Sequence, residues 1–147
     1  MALIHLEDIA VGLELASAAR SITAADIDAF AGLTGDHNPL HTDPTARESP
    51  YDAPIAHGLL VTSISSGQPT EADDWALGVY LEESRRFVAP VYAGDAVRTE
   101  STVTAVRRSR SKPDRGVVTM DVRVLNQRDE IVQEGVDVVL VGAREPR

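Results

Sequence analysis

The second half of the chain alternates in a way that leaves few folds open. Val118, Met120, Val122 and Val124 interleave with Val117, Thr119, Asp121 and Arg123. That period of two marks a strand with one buried and one wet face. Strands are predicted at about Ala76 to Val88, Ala96 to Val106, Gly116 to Asn126 and Ile131 to Val141. Gly94-Asp95, the basic run Arg107 to Lys112 and Asn126-Gln127-Arg128-Asp129 supply the turns between them. Consecutive strands joined by short turns pair antiparallel, so the first half must cover the sheet. Gly58 to Gly67 (GLLVTSISSG) is apolar on nearly every side. A buried helix and a buried strand both fit that pattern, and the small residues favour the helix. The expected layout is α+β: one domain, residues 1–147, with a curved antiparallel sheet enclosing a central helix. Such a sheet has two edges that invite pairing, so a homodimer is expected.

The first half reads more coarsely. Leu13 to Ile22 is a weak strand candidate. Thr23 looks like an N-cap with Asp26 completing a capping box, and Ile27, Phe30, Ala31 and Thr34 fall on one helical face. Gly35 is placed to end that helix. Asp43-Pro44 repeats the pattern as N-cap and first residue of a short helix, and Pro50 and Pro54 break the chain before the next element.

Charge narrows the function. The net charge is -9, and residues 1–75 carry 12 acidic and 2 basic side chains against 11 and 12 in residues 76–147. Nucleic-acid binding is therefore not expected, because neutralising phosphates needs clustered cations. Any phosphate-bearing ligand needs a local basic patch. The candidates are Arg107, Arg108, Arg110 and Lys112, with Arg115 nearby, and the pair Arg85-Arg86. A solvated hairpin loop is the favoured reading of the first group. A chain without cysteine has neither a disulfide framework nor a thiolate nucleophile. No apolar run approaches the ~18–20 residues of a membrane span. The N-terminal residues lack the basic start of a signal peptide, so a cytoplasmic location is expected.

The chemistry concentrates in Gly35-Asp36-His37-Asn38-Pro39-Leu40-His41 and Ala56-His57-Gly58. Asp-x-Asn-Pro is ordinary turn material. Yet Pro39 stiffens the path from Asp36 to His41 and Leu40 can anchor it, so the carboxylate and the imidazole can converge as a proton-transfer pair. Gly and Pro are expected to keep this segment out of helix and strand. His37 and His41 would share a metal only on a helix, which Pro39 opposes, so no metal is expected. His57 reads as a buried histidine bonded to backbone. Gly58, opening the buried helix, presents an unobstructed N–H in the positive field of the helix dipole, suited to a developing oxyanion. Ser63 is either packing filler or a hydroxyl that orients a catalytic group.

Leu33-Thr-Gly-Asp36-His-Asn-Pro-Leu-His41, followed by Ile55-Ala-His57-Gly58-Leu and later by Arg86-Phe87-Val-Ala-Pro90-Val-Tyr-Ala-Gly94-Asp95, resembles the hydratase motif of MaoC-like dehydratases, which include (R)-specific enoyl-CoA hydratases. The resemblance covers nearly the whole chain and implies a hot-dog fold. It also implies reversible hydration of trans-2-enoyl thioesters to (R)-3-hydroxyacyl thioesters. Asp36 and His41 would be the catalytic pair, and Gly58 the amide that polarises the thioester carbonyl. Ser63 would bond the catalytic Asp, and Asn38 would order the loop. Coenzyme A or an acyl carrier protein's phosphopantetheine arm would arrive with the substrate and no other cofactor is implied. Arg85 and the loop from Arg107 are candidates for its phosphates. Two other readings stand beside this one. An acyl thioesterase would need a carboxylate on or near the central helix, which residues 58–67 lack. A catalytically silent acyl-binding subunit of a heterodimer would be expected to lack Asp or His.

Overall fold

Alternation sets the sheet, and the computed structural model, which describes residues 2–46 and 48–144, shows how it is covered. β1 (Glu14–Ala16), β2 (Arg20–Ser21), β3 (Val79–Phe87), β4 (Ala96–Arg108), β5 (Arg115–Leu125) and β6 (Ile131–Gly142) make one antiparallel sheet. Its order is β1-β4-β5-β6-β3, with β2 also on β4. The long strands fall close to their expected bounds. Val118, Met120, Val122 and Val124 are buried, whereas Asp121 and Arg123 face water.

The expected strand at 13–22 is two short pieces along the same edge of β4. Between them the Ser17 hydroxyl accepts the Thr99 N–H at 2.9 Å. The Gln68 side chain donates to the carbonyls of Ala18 and Val97 at 3.1 and 2.9 Å. Side chains thus replace part of the ladder, and the strand breaks where they do so.

Among the described residues three α-helices precede β3. α1 (Ala24–Thr34) opens with the Thr23/Asp26 capping box and closes at Gly35, whose φ of 79° is left-handed. The Asp26 carboxyl is held below its usual range by the Thr23 N–H and then by Arg20. α2 (Pro39–Thr42) is a single turn where an irregular loop was expected. Proline is excluded from a helix interior but not from its first residue, where its missing N–H has no partner to lose. Asp43 instead ends α2 and folds into an Asx turn, accepting the Thr45 N–H at 2.8 Å and the Thr45 hydroxyl at 2.7 Å. That local bond displaces the helix expected after Asp43-Pro44.

α3 (Gly58–Gly67) is the buried helix. It covers only one end of the concave face, where Leu60 and Val61 pack with Ile22, Val97, Val124 and Val132. Leu6, Ile9 and Trp75 cover the other end, against Val103, Val118, Met120 and Val141. The central helix therefore shares its sheet with the N-terminal segment. None of the helices among the described residues is long and apolar enough to cross a membrane.

Candidate active site

α1 delivers the first acid. Past Gly35, the Asp36 N–H donates to the Thr34 hydroxyl at 3.2 Å. Asp36 Oδ1 then accepts the Asn38 N–H at 3.2 Å, and Asn38 Oδ1 caps α2 by accepting the Leu40 N–H at 3.0 Å. These two side-chain turns, in series, bring His41 back over Asp36. His41 is tied from the other side: its Nδ1 donates to the Ile55 carbonyl at 2.8 Å, and the Ile55 N–H donates to Leu40 O at 2.9 Å. A carbonyl only accepts, so Nδ1 bears the proton and the neutral ring carries its lone pair on Nε2.

That Nε2 lies 4.0 Å from Asp36 Oδ2. The gap is too long for a hydrogen bond, but one oxygen about 2.8 Å from both groups would see them roughly 90° apart. The His41 side chain is 13% exposed and that of Asp36 53%, so the imidazole is fixed in the wall while the carboxylate faces the open side.

His57 lies beneath the pair. Its Nε2 donates to the Asp36 carbonyl at 2.9 Å, and its ring stacks on His41 with centroids 3.8 Å apart and planes 25° apart. One atom each of Asp36, His41 and His57 falls within 4.8 Å of the others. Stacking nevertheless disfavours a shared metal. An imidazole binds in its own ring plane, at ~2.0–2.1 Å for zinc, and near-parallel planes this far apart have no common point that close. His37, the other histidine considered for a metal, is exposed and outside this group.

Gly58 begins α3, and its own N–H has no intrahelical partner. The Gly58 carbonyl accepts from Gln133 Nε2 at 2.8 Å and from the Thr62 hydroxyl at 3.1 Å, and Thr62 also reaches Gln133 Oε1 at 2.8 Å. Gln133 and Thr62, not foreseen from the sequence, thus fix the glycine from beneath. The signal for Gln133 was its parity: it shares the buried side of β6 with Val139 and Val141, a place where a polar residue needs a partner.

His41 and Gly58 line a cleft of about 300 Å³ with Tyr51, Phe87, Pro90 and Gln133. A second cleft of about 300 Å³, walled by Ile27, Pro44, Pro54 and Tyr92, lies against His41 as well. A polar cavity of about 280 Å³ beyond the other end of α3, lined by Gln68, Tyr80 and Asp137 among others, touches neither Asp36 nor His41. A ligand crossing the face of His41 can occupy the first two clefts together.

Several expected site residues lie elsewhere. Ser63 is exposed and donates to the Leu59 carbonyl at 2.7 Å, not to Asp36. Arg85 is buried against Asp137 at 2.6 Å and Glu83 at 3.1 Å, so its cation is already matched. Arg108 pairs with Glu7 and donates to the Pro113 carbonyl. Arg107, Arg110 and Lys112 are exposed around the β4–β5 turn. Arg108 pairs with Gly116 there, at the end of the sheet opposite Ala96 and the start of α3. Thirteen residues of β4 separate that turn from Ala96, roughly 40 Å along an extended strand, and none of these basic side chains lines either cleft at His41.

The comparisons agree with this geometry. Residues 10–126 match the MaoC like domain. An (R)-specific enoyl-CoA hydratase of Aeromonas caviae is 37% identical, over 79% of this chain and 84% of that protein. Another, from Rhodospirillum rubrum, is 33% identical over 95% and 93%. The crystal structure of a MaoC-like dehydratase from Rhodospirillum rubrum superposes with a TM-score of 0.84 at 34% identity, covering 97% of this chain and 99% of that one. A double-hotdog protein of Mycobacterium tuberculosis, 17% identical, shares the fold with a TM-score of 0.79 over 99% of this chain and 46% of its own. A hot-dog sheet, a buried helix opening on His57-Gly58 and a family match across most of the length lead to one assignment: this chain belongs to the MaoC-like dehydratase family.

Proposed function

We propose that the protein catalyses reversible addition of water to trans-2-enoyl thioesters, giving (R)-3-hydroxyacyl thioesters. The observation that carries this is the 4.0 Å gap between Asp36 Oδ2 and His41 Nε2, beside a cleft that also holds the first residue of α3. The thioester oxygen would accept the Gly58 N–H, where the helix dipole favours the negative charge that grows as the enolate forms. Water held between Asp36 and His41 bonds through its oxygen to C3 and gives one proton to the pair. The pair delivers one proton to C2, so both additions come from the same face and the atoms balance. No metal or redox step enters, and the only cofactor-like group is the substrate's own carrier, coenzyme A or a carrier protein's phosphopantetheine.

A hydrolytic reading is less well supported. α3 carries no carboxylate, and Glu83, which reaches Ser66 on it at 2.5 Å, is also paired with Arg85. The presence of both Asp36 and His41 speaks against a silent subunit. We read the active form as a homodimer joined through β3, whose outer edge is unpaired among the described residues and whose Val79, Leu81 and Phe87 are 48%, 54% and 56% exposed. We propose a cytoplasmic location, one of the compartments inside cells that supply coenzyme A thioesters.

The test is loss of enoyl-thioester absorbance with crotonyl-CoA, longer enoyl-CoAs and carrier-bound enoyl chains. Wild type is expected to form the (R)-3-hydroxy product, and Asp36→Asn and His41→Ala each to lose at least about 100-fold in kcat, the usual cost of losing a general acid or base. Folded wild type that leaves every enoyl thioester untouched would refute the reading.

A further inference from the structure

The two catalytic candidates rest on a third side chain that cannot itself reach the substrate. His57 is 3% exposed and is walled off from solvent by Phe30, whose ring meets it edge-on at 5.0 Å, and by His41. It caps no N–H of its own helix, although it occupies the N-cap. Its Nδ1 is buried without a hydrogen-bond partner among the described residues. A buried polar atom left unmatched is costly, and phenylalanine would fill the same space without that cost. What the imidazole adds is its Nε2–H, which reaches 21 residues back to the Asp36 carbonyl.

Resting on the enoyl-thioester reading, we infer that His57 is a positioning residue that sets the Asp36–His41 separation. One ring makes both contacts: an edge hydrogen bond fixes the height of the Asp36 backbone, and a face fixes the plane of His41. The Ile55 carbonyl holds one corner of the His41 ring but leaves it free to tip about that bond. The stack removes this freedom and keeps Nε2 aimed at Asp36. Because His57 follows directly into Gly58, the same residue ties the proton-transfer pair to the amide that receives the thioester oxygen. Misplacement of such groups by about 1 Å can cost on the order of 100-fold in rate.

The two contacts can be removed separately. His57→Gln keeps a side-chain N–H of similar reach and loses the ring. His57→Phe keeps the ring and loses the donor. Each is expected to lower kcat on crotonyl-CoA at least about 10-fold with KM within about twofold of wild type, since neither touches bound substrate. In a His41→Ala background the same changes are expected to cost less than about twofold more, because the groups act as a unit.

Imidazole ¹⁵N resonances of His41 supply a readout independent of turnover. Wild type should show the Nδ1–H form, and His57→Phe should shift or broaden the His41 signals with the fold intact. If wild type hydrates no thioester but the His41 signals respond as stated, the reaction assignment fails and the positioning role stands. If folded His57→Gln and His57→Phe turn over at the wild-type kcat, lose activity only through KM, or leave the His41 signals unchanged, the positioning role is overturned. Should His57→Phe not fold, His57→Gln with its kcat and His41 signals decides alone by the same criteria.

Discussion

Gly58 shows how one missing methyl group shapes the site. A Cβ there would meet the ring edge of Phe87 at 2.8 Å. Phe87 is on an edge strand and half exposed, so its ring can swing where backbone could not. Gly58→Ala is therefore expected to cost no more than about 1 kcal/mol of stability, within the ordinary range for a single change that the structure can absorb. The displaced ring would crowd the cleft, and kcat/KM should fall at least about 10-fold. Phe87→Leu in the same chain should recover part of that loss, as a thermal melt and a crotonyl-CoA assay would show. Asp36 and His41 were legible as residues because Gly, Asn and Pro signal a tight path between them. Their separation was not, since it depends on Ile55 and His57, which lie 14 and 21 residues away from the groups they hold.

Elements were legible where the cause is local and obscure where it is not. The alternation of β5 and the capping box of α1 are written in neighbouring residues, and both form as read. α2 escaped because Pro39 was taken as a helix breaker when it stands at a first turn that tolerates it. The family resemblance set Ser63 beside the catalytic Asp, but α3 turns it outward, onto the Leu59 carbonyl. Arg85 looked like a free cation because Asp137 stands 52 residues later on the neighbouring strand. Burial raises the Asp137 carboxyl above its usual range although Arg85 pulls it down, so desolvation outweighs the attraction within this pair. Asp137→Leu, which leaves the guanidinium buried with less to balance it, is expected to cost about 3–5 kcal/mol. Arg85→Met with Asp137→Leu should regain most of that in urea denaturation, because no lone charge then remains inside.

At the scale of the molecule the exposed side of β3 is where the proposed homodimer would join. Edge strands in soluble proteins are commonly guarded by charge or by a covering element. β3 carries Glu82, Glu83, Arg85 and Arg86, yet Leu81 and Phe87 on it remain 54% and 56% exposed. Sedimentation is expected to report about twice the chain mass of 15.8 kDa. Leu81→Lys should move the population to single chains, and with it lower activity, since Phe87 at the end of the same strand also lines the cleft.

The divided cover of the concave face has a consequence for the order in which the chain can be made and folded. Leu6 and Ile9 pack against Val103, Val118 and Val141, while Glu7 and Asp8 pair with Arg108 and Arg144. Residues that leave the ribosome early thus wait for partners about a hundred positions behind them. α3 can begin to bury its own end of the sheet when β4 arrives, but the second cluster closes only when β6 is complete. Contacts of such long sequence separation slow folding. During synthesis Leu6, Ile9 and Trp75 stay exposed until their strands arrive, the kind of apolar surface on which chaperones act.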